Sequence, residues 1–100
     1  MTAPDDDHPR WSLTLYVSGA SPRSAQALDT VRRLCDEDLV GQVQLEVVDV
    51  ADEPGLAGRD GIVAVPTLVK RLPAPLRQLV GDLADVDRLR AGLDLGTAPQ

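Results

Sequence analysis

An α/β domain with elements in the order β-α-β-(α)-β-β-α is expected from three observations. A strictly alternating apolar segment opens the ordered part of the chain at Trp11. A long helical pattern and a second apolar strand follow it, and two short strands around a proline link then lead into a closing amphipathic helix. The 100 residues suffice for one domain with one modest core.

Residues 1–10 are expected to form a disordered acidic tail, since three Asp and two Pro leave nothing to bury. The domain proper is expected over 11–95, with a short tail over 96–100. In 11–17, Trp11, Leu13, Leu15 and Val17 alternate with Ser12, Thr14 and Tyr16, the two-residue period of a strand. A helix follows from Pro22 to about Asp38. Ser21 suits its N-cap, and Pro22 suits the first helical position, where a missing N–H costs nothing. Ala25, Leu28, Val31, Leu34 and Cys35 are read as its inner face, and Arg23, Gln26, Asp29, Arg33 and Glu37 as its outer one. Residues 43–50 form the second strand, and the crossover rule places it parallel and adjacent to the first.

The second half is less decisive. Residues 52–60 read as a weak polar helix that Asp52 could cap, with Leu56 and Ala57 its only apolar pair. Residues 63–72 read as a strand interrupted by Pro66, and 76–80 as a short strand reaching the Gly81-Asp82 turn. Leu83, Val86, Leu89 and Leu93 recur at helical spacing, with acids early in the segment and Gly96 beyond it. A βαβ half followed by a ββα half is the architecture of the thioredoxin-like fold.

Composition narrows the chemistry. Sixteen acidic against ten basic side chains give a net charge of −6, which argues against nucleic acid, whose phosphates need concentrated cations. Trp11 and Tyr16 are the only aromatics, too few for a base-stacking platform, so the core must be aliphatic. One cysteine excludes an intramolecular disulfide and a dithiol centre, and His8 as the sole histidine excludes a zinc cluster. His8 beside the acids at 5–7 resembles a metal tract only superficially, and no metal or cofactor is expected. No apolar run approaches the roughly 20 residues of a membrane span. The N-terminus lacks the apolar stretch of a signal peptide, so a cytoplasmic location is expected.

In redox-active thioredoxin-like proteins the attacking thiol sits where the first strand meets the first helix, where the helix dipole lowers its pKa. Here residues 18–24 carry no thiol, and Cys35 falls near the far end of the helix on its apolar face, where it reads as an inert core residue. Ser21 and Ser24 read as an N-cap and an exposed first turn, with anion binding as the alternative. Pro66 stands where thioredoxin-like folds carry a cis proline, the reading favoured over a trans proline at a strand start. Lys70, Arg71 and Arg77 form the densest basic group, suited to docking an acidic partner surface. Nothing assembles a nucleophile, a base and an oxyanion site, so no enzyme is expected.

Over about 11–95 the sequence resembles the KaiB family of circadian clock proteins and their bacterial relatives. The likeness is carried by Tyr16-Val17-Ser18-Gly19 with Ser21-Pro22, Val48-Asp49-Val50, Val65-Pro66-Thr67-Leu68-Val69-Lys70, Leu72-Pro73-Ala74-Pro75-Leu76-Arg77, Val80-Gly81-Asp82-Leu83 and Gly92-Leu93-Asp94-Leu95. The resemblance implies a metamorphic protein. Its thioredoxin-like βαβαββα monomer would exchange with a tetrameric βαββααβ fold by rewriting about 51–95, the half whose local signals are weak. It further implies that the thioredoxin-like state binds the hexameric ATPase KaiC, with Lys70 and Arg77 near the binding surface. Pro66, Gly81 and Asp82 would belong to the segments that bias the two folds.

Gln26 and Asp29, where clock members tend to carry bases, and Pro-Ala-Pro in place of three prolines depart from the clock pattern. They leave a second possibility, a constitutively thioredoxin-like module similar to the sensory domain of SasA-type histidine kinases. In either case residues 43–50 are expected at a sheet edge, where strand addition could recruit a histidine kinase or a second clock protein.

Overall fold

The computed structural model describes residues 10–19, 21–81 and 83–93. Asp82, and the expected tails apart from Arg10, lie outside them. Seven elements follow one another: β1 Trp11–Val17, α1 Pro22–Asp38, β2 Val43–Asp49, α2 Pro54–Arg59, β3 Thr67–Leu72, β4 Arg77–Val80 and α3 Val86–Gly92. The four strands form one sheet in the order β2-β1-β3-β4. β1 runs parallel to β2, from Trp11↔Val43 to Val17↔Asp49, and antiparallel to β3; β3 and β4 are antiparallel. This is the expected thioredoxin-like arrangement, with β2 at one edge.

The two faces of the sheet are covered unequally. On one face Leu13, Leu15, Val17 and Leu68 meet Val31, Leu34 and Cys35 of α1, together with Leu83, Leu89 and Leu93 at α3. On the other, Tyr16, Val48 and Val69 pack with Ala57 of α2, and Val50, Leu56, Ile62 and Val65 lie partly buried against them. β1 is therefore buried on both faces, Thr14 and Tyr16 included, where alternation alone pointed to one polar face. Two flanking layers explain this: Tyr16 meets α2 and Thr14 meets the Arg71 side chain instead of water.

α1 begins as expected, with the Ser21 hydroxyl accepting from the Ser24 N–H and Pro22 in the first turn. Its inner face is rotated from the expected one. Ser24 and Ala27 are buried and Ala25 is exposed, because the Ser24 hydroxyl turns inward to accept from the Ser18 N–H at 3.0 Å. The stripe is thus 24, 27, 31 and 34, with Cys35 beside it.

In the second half, α2 starts later than expected. Its N-cap is Glu53, without a side-chain hydrogen bond, so Asp52 does not cap it. Residues 63–66 are not strand: β3 begins at Thr67, directly after Pro66, which supplies no ladder N–H. The peptide bonds before Pro66, Pro73 and Pro75 are cis. Asp85 caps α3 by accepting from the N–H groups of Asp87 and Arg88. α3 is fastened to α1 by Arg90, whose Nε lies 2.6 Å from Asp38 Oδ2, while the Thr30 hydroxyl donates to the Ala84 carbonyl. Among the described residues, no helix is long and apolar enough to cross a membrane.

Leu34 is fully buried between α1 and the sheet. Leu34→Ala is expected to lower stability by about 2–5 kcal/mol, read as a shift of the urea unfolding midpoint with little change in slope. At Gly81 the backbone φ is +105°, so Gly81→Ala is expected to cost about 1 kcal/mol or more in the same assay.

Candidate functional site

The β1–α1 junction, where thiol chemistry would sit in this fold, is closed by its own hydrogen bonds. Ser24 Oγ accepts from the Ser18 N–H, Ser21 Oγ accepts from the Ser24 N–H at 3.1 Å, and Asp49 Oδ2 accepts from the Gly19 N–H at 3.0 Å. Its hydroxyls serve the backbone and are not presented to a ligand, and Ser24 is buried where an exposed first turn was expected. Cys35 is buried in the core, and burial, helped by the Asp36 carboxylate, pushes its thiol up to about 11. At neutral pH it is a protonated side chain packed among leucines, not a nucleophile.

The basic group separates into two. Side chains alternate across a strand, so neighbours on β3 face opposite ways. Lys70 lies on the α1/α3 side with Leu68 and is the cross-strand partner of Arg77 on β4. Arg71 points to the α2 side. Lys70 is not the surface charge expected of it: only 2% exposed, it places its ammonium 5.8 Å from the centre of the Trp11 ring, within cation–π range. Arg77 is exposed at the start of β4, beside the exposed link formed by residues 72–76. Leu72 and Leu76, at the two ends of that link, are both half exposed, giving this end of the sheet an apolar knob next to the Arg77 guanidinium. Pro66, buried, precedes β3 at the opposite end of the sheet, the end at which exposed Gly81 follows β4.

Arg71 takes part in a cluster that no local pattern announced. Its guanidinium grips the Asp60 carboxylate through two nitrogens, at 2.6 and 3.3 Å, while its Nε donates to Thr14 Oγ1 at 3.1 Å. The Tyr16 hydroxyl donates to Asp60 Oδ2 at 2.5 Å. Gln78 Nε2 donates to the Asp60 main-chain carbonyl at 2.7 Å. Asp60, the C-cap of α2, thus contacts β1, β3 and β4. The Arg71 and Tyr16 hydrogen bonds hold its carboxyl below the usual carboxylate range. The Tyr16 phenol is pushed up, first by burial and then by Asp60. One sequence-level signal existed: Thr14, Tyr16, Val69 and Arg71 occupy the same face of paired strands once β1 and β3 are known to be neighbours.

Among the described residues, these side chains serve packing and backbone hydrogen bonds. Comparisons with known proteins point to a family. The family model described as the KaiB domain matches residues 14–95. The chain is 47% identical over 83 residues to the circadian clock oscillator protein KaiB of Synechococcus sp. (strain RCC307), covering 83% of this chain and 76% of that protein. Among solved structures, the N-terminal domain of Synechococcus elongatus SasA superposes with a TM-score of 0.70 at 27% identity, covering 100% of this chain and 98% of that one. Mitochondrial thioredoxin 3 from Saccharomyces cerevisiae superposes with a TM-score of 0.71 over 89% of this chain and 81% of its own; at 17% identity this likeness speaks for the fold alone.

The Asp60 contacts generate a pH dependence. A carboxyl held low by its native partners adds stability that is complete above about pH 4 and is lost as pH falls through its native value. Asp60→Asn is therefore expected to cost about 1–3 kcal/mol at pH 7. Its stability should converge on that of the unsubstituted protein as pH falls below about 4. Parallel curves across that range would show that the carboxylate charge contributes nothing.

Proposed function

The chain belongs to the KaiB family, and on that premise we propose that it is a non-catalytic regulatory protein that binds a hexameric ATPase of the KaiC type through its thioredoxin-like state. The observation that carries the reading is the match of the KaiB model to nearly the whole domain, residues 14–95. Likeness to the SasA N-terminal domain over the full chain supports the thioredoxin-like state as the binding form. The closed β1–α1 junction and the protonated Cys35 favour binding over catalysis. The site of action is the cytoplasm.

Lys70 and Arg77 form the binding pair in this reading, with unequal parts. Arg77, exposed beside the apolar knob, contacts an acidic partner surface, and buried Lys70 adds positive potential from the adjacent strand. A second regulatory partner, a histidine kinase or another clock protein, adds a strand to the outer edge of β2.

Exchange with the tetrameric βαββααβ fold is part of the same reading, with Pro66, Gly81 and Asp82 in the segments that bias it. It is favoured by an uncapped α2 and a four-residue β4, elements with little intrinsic claim to their structure. The other reading, a constitutively thioredoxin-like module similar to the SasA sensory domain, draws on the same structural likeness. Light scattering separates them: a tetramer supports exchange, and a monomer at every concentration supports the constitutive module.

Binding is tested by titrating the protein onto a KaiC-type hexamer. Arg77→Glu is expected to weaken binding at least tenfold with the circular dichroism spectrum unchanged, and Lys70→Met by a smaller factor. Affinity unchanged in the double variant would remove this pair from the interface.

A further inference from the structure

α2 is the element with the least to hold it in place. Its six residues fall far short of the roughly 12–15 at which an isolated helix becomes even marginal. Two of the six, Gly55 and Gly58, are poor helix formers, and no side chain caps its N-terminus. Ala57 is its one buried residue, with Leu56 half-buried beside it. The following loop adds only the partly buried Ile62 and Val65 against the same small cluster, with Val63 95% exposed between them.

Against this, Asp60 joins the end of α2 to three strands. Arg71 and Tyr16 hold its carboxylate, Gln78 holds its carbonyl, and the Tyr16 hydroxyl also lies 3.3 Å from the Leu56 carbonyl inside the helix. The rest of the fold does not lean on α2. β1, β2 and β3 are joined by their own ladders and backed by α1 and α3 on the opposite face.

We propose that Asp60 is a latch, and that residues 54–65 open from the sheet and reclose as one unit whose frequency of opening its contacts set. Opening uncovers Tyr16, Val48 and Val69, the apolar floor beneath α2, while β1, α1 and β2 stay folded. The latch goes beyond the partner reading above: it is a property of the isolated monomer, whichever protein the domain binds.

Amide hydrogen exchange of the full chain, read by mass spectrometry at neutral pH, tests it. In Asp60→Ala the amides of 54–65 are expected to exchange at least tenfold faster, with those of β1 and α1 changed less than twofold. Tyr16→Phe and Arg71→Gln should each accelerate the same segment by a smaller factor. Arg71→Gln added to Asp60→Ala should accelerate it no further, since Arg71 reaches this segment through Asp60. Unchanged exchange in 54–65, or equal acceleration in every element, overturns the proposal. Should Asp60→Ala fail to fold, the two milder variants decide by the same criterion.

Discussion

β1 runs through the middle of the molecule with both faces buried, and the positions of the other elements follow from that. Its odd-numbered residues require an aliphatic layer, which α1 and α3 supply through Val31, Leu34, Leu89 and Leu93. Its even-numbered residues, Thr14 and Tyr16, require cover that can also satisfy a hydroxyl, because a buried polar group without a partner is costly. The neighbours of β1 on either side, β2 and β3, contribute Val48 and Val69 to that second layer. A central strand with one aliphatic and one mixed face thus dictates two unlike layers.

The mixed layer is the thin one. Ala57 is its one buried cover from α2, with Val50, Leu56, Ile62 and Val65 partly buried around it, and the polar cluster around Asp60 adds to these. Such a cluster behaves differently from an aliphatic layer. It depends on a small number of directed contacts, so it is lost in steps instead of being worn down gradually, and it responds to charge. The layer that carries α1 is extensive and aliphatic and lacks these properties. One fold thus carries an extensive aliphatic layer on one face of its sheet and a smaller mixed layer on the other.

The thioredoxin-like architecture is retained here while the place of its chemistry is put to structural use. At the β1–α1 junction two serines and an aspartate satisfy backbone N–H groups, and the single thiol lies far along α1 in the core. The exposed features of the domain include the β2 edge and the proline link beside Arg77.

Much of this was legible in residue order. The two-residue period at 11–17, the Ser21-Pro22 cap and the helical spacing of Val86 and Leu89 each rest on interactions within a few residues, so local pattern suffices for them; Leu83, read with that helix, lies in the turn before it. The family likeness was legible as well, since its motifs are contiguous. Tertiary structure alone decided that Lys70 is buried under Trp11, that Arg71 turns away from Lys70 and Arg77, and that Asp60 meets Tyr16 from 44 residues away. Strand alternation states that neighbours face opposite ways; only the packing of α2 on one face and of α1 and α3 on the other determines what each of them meets.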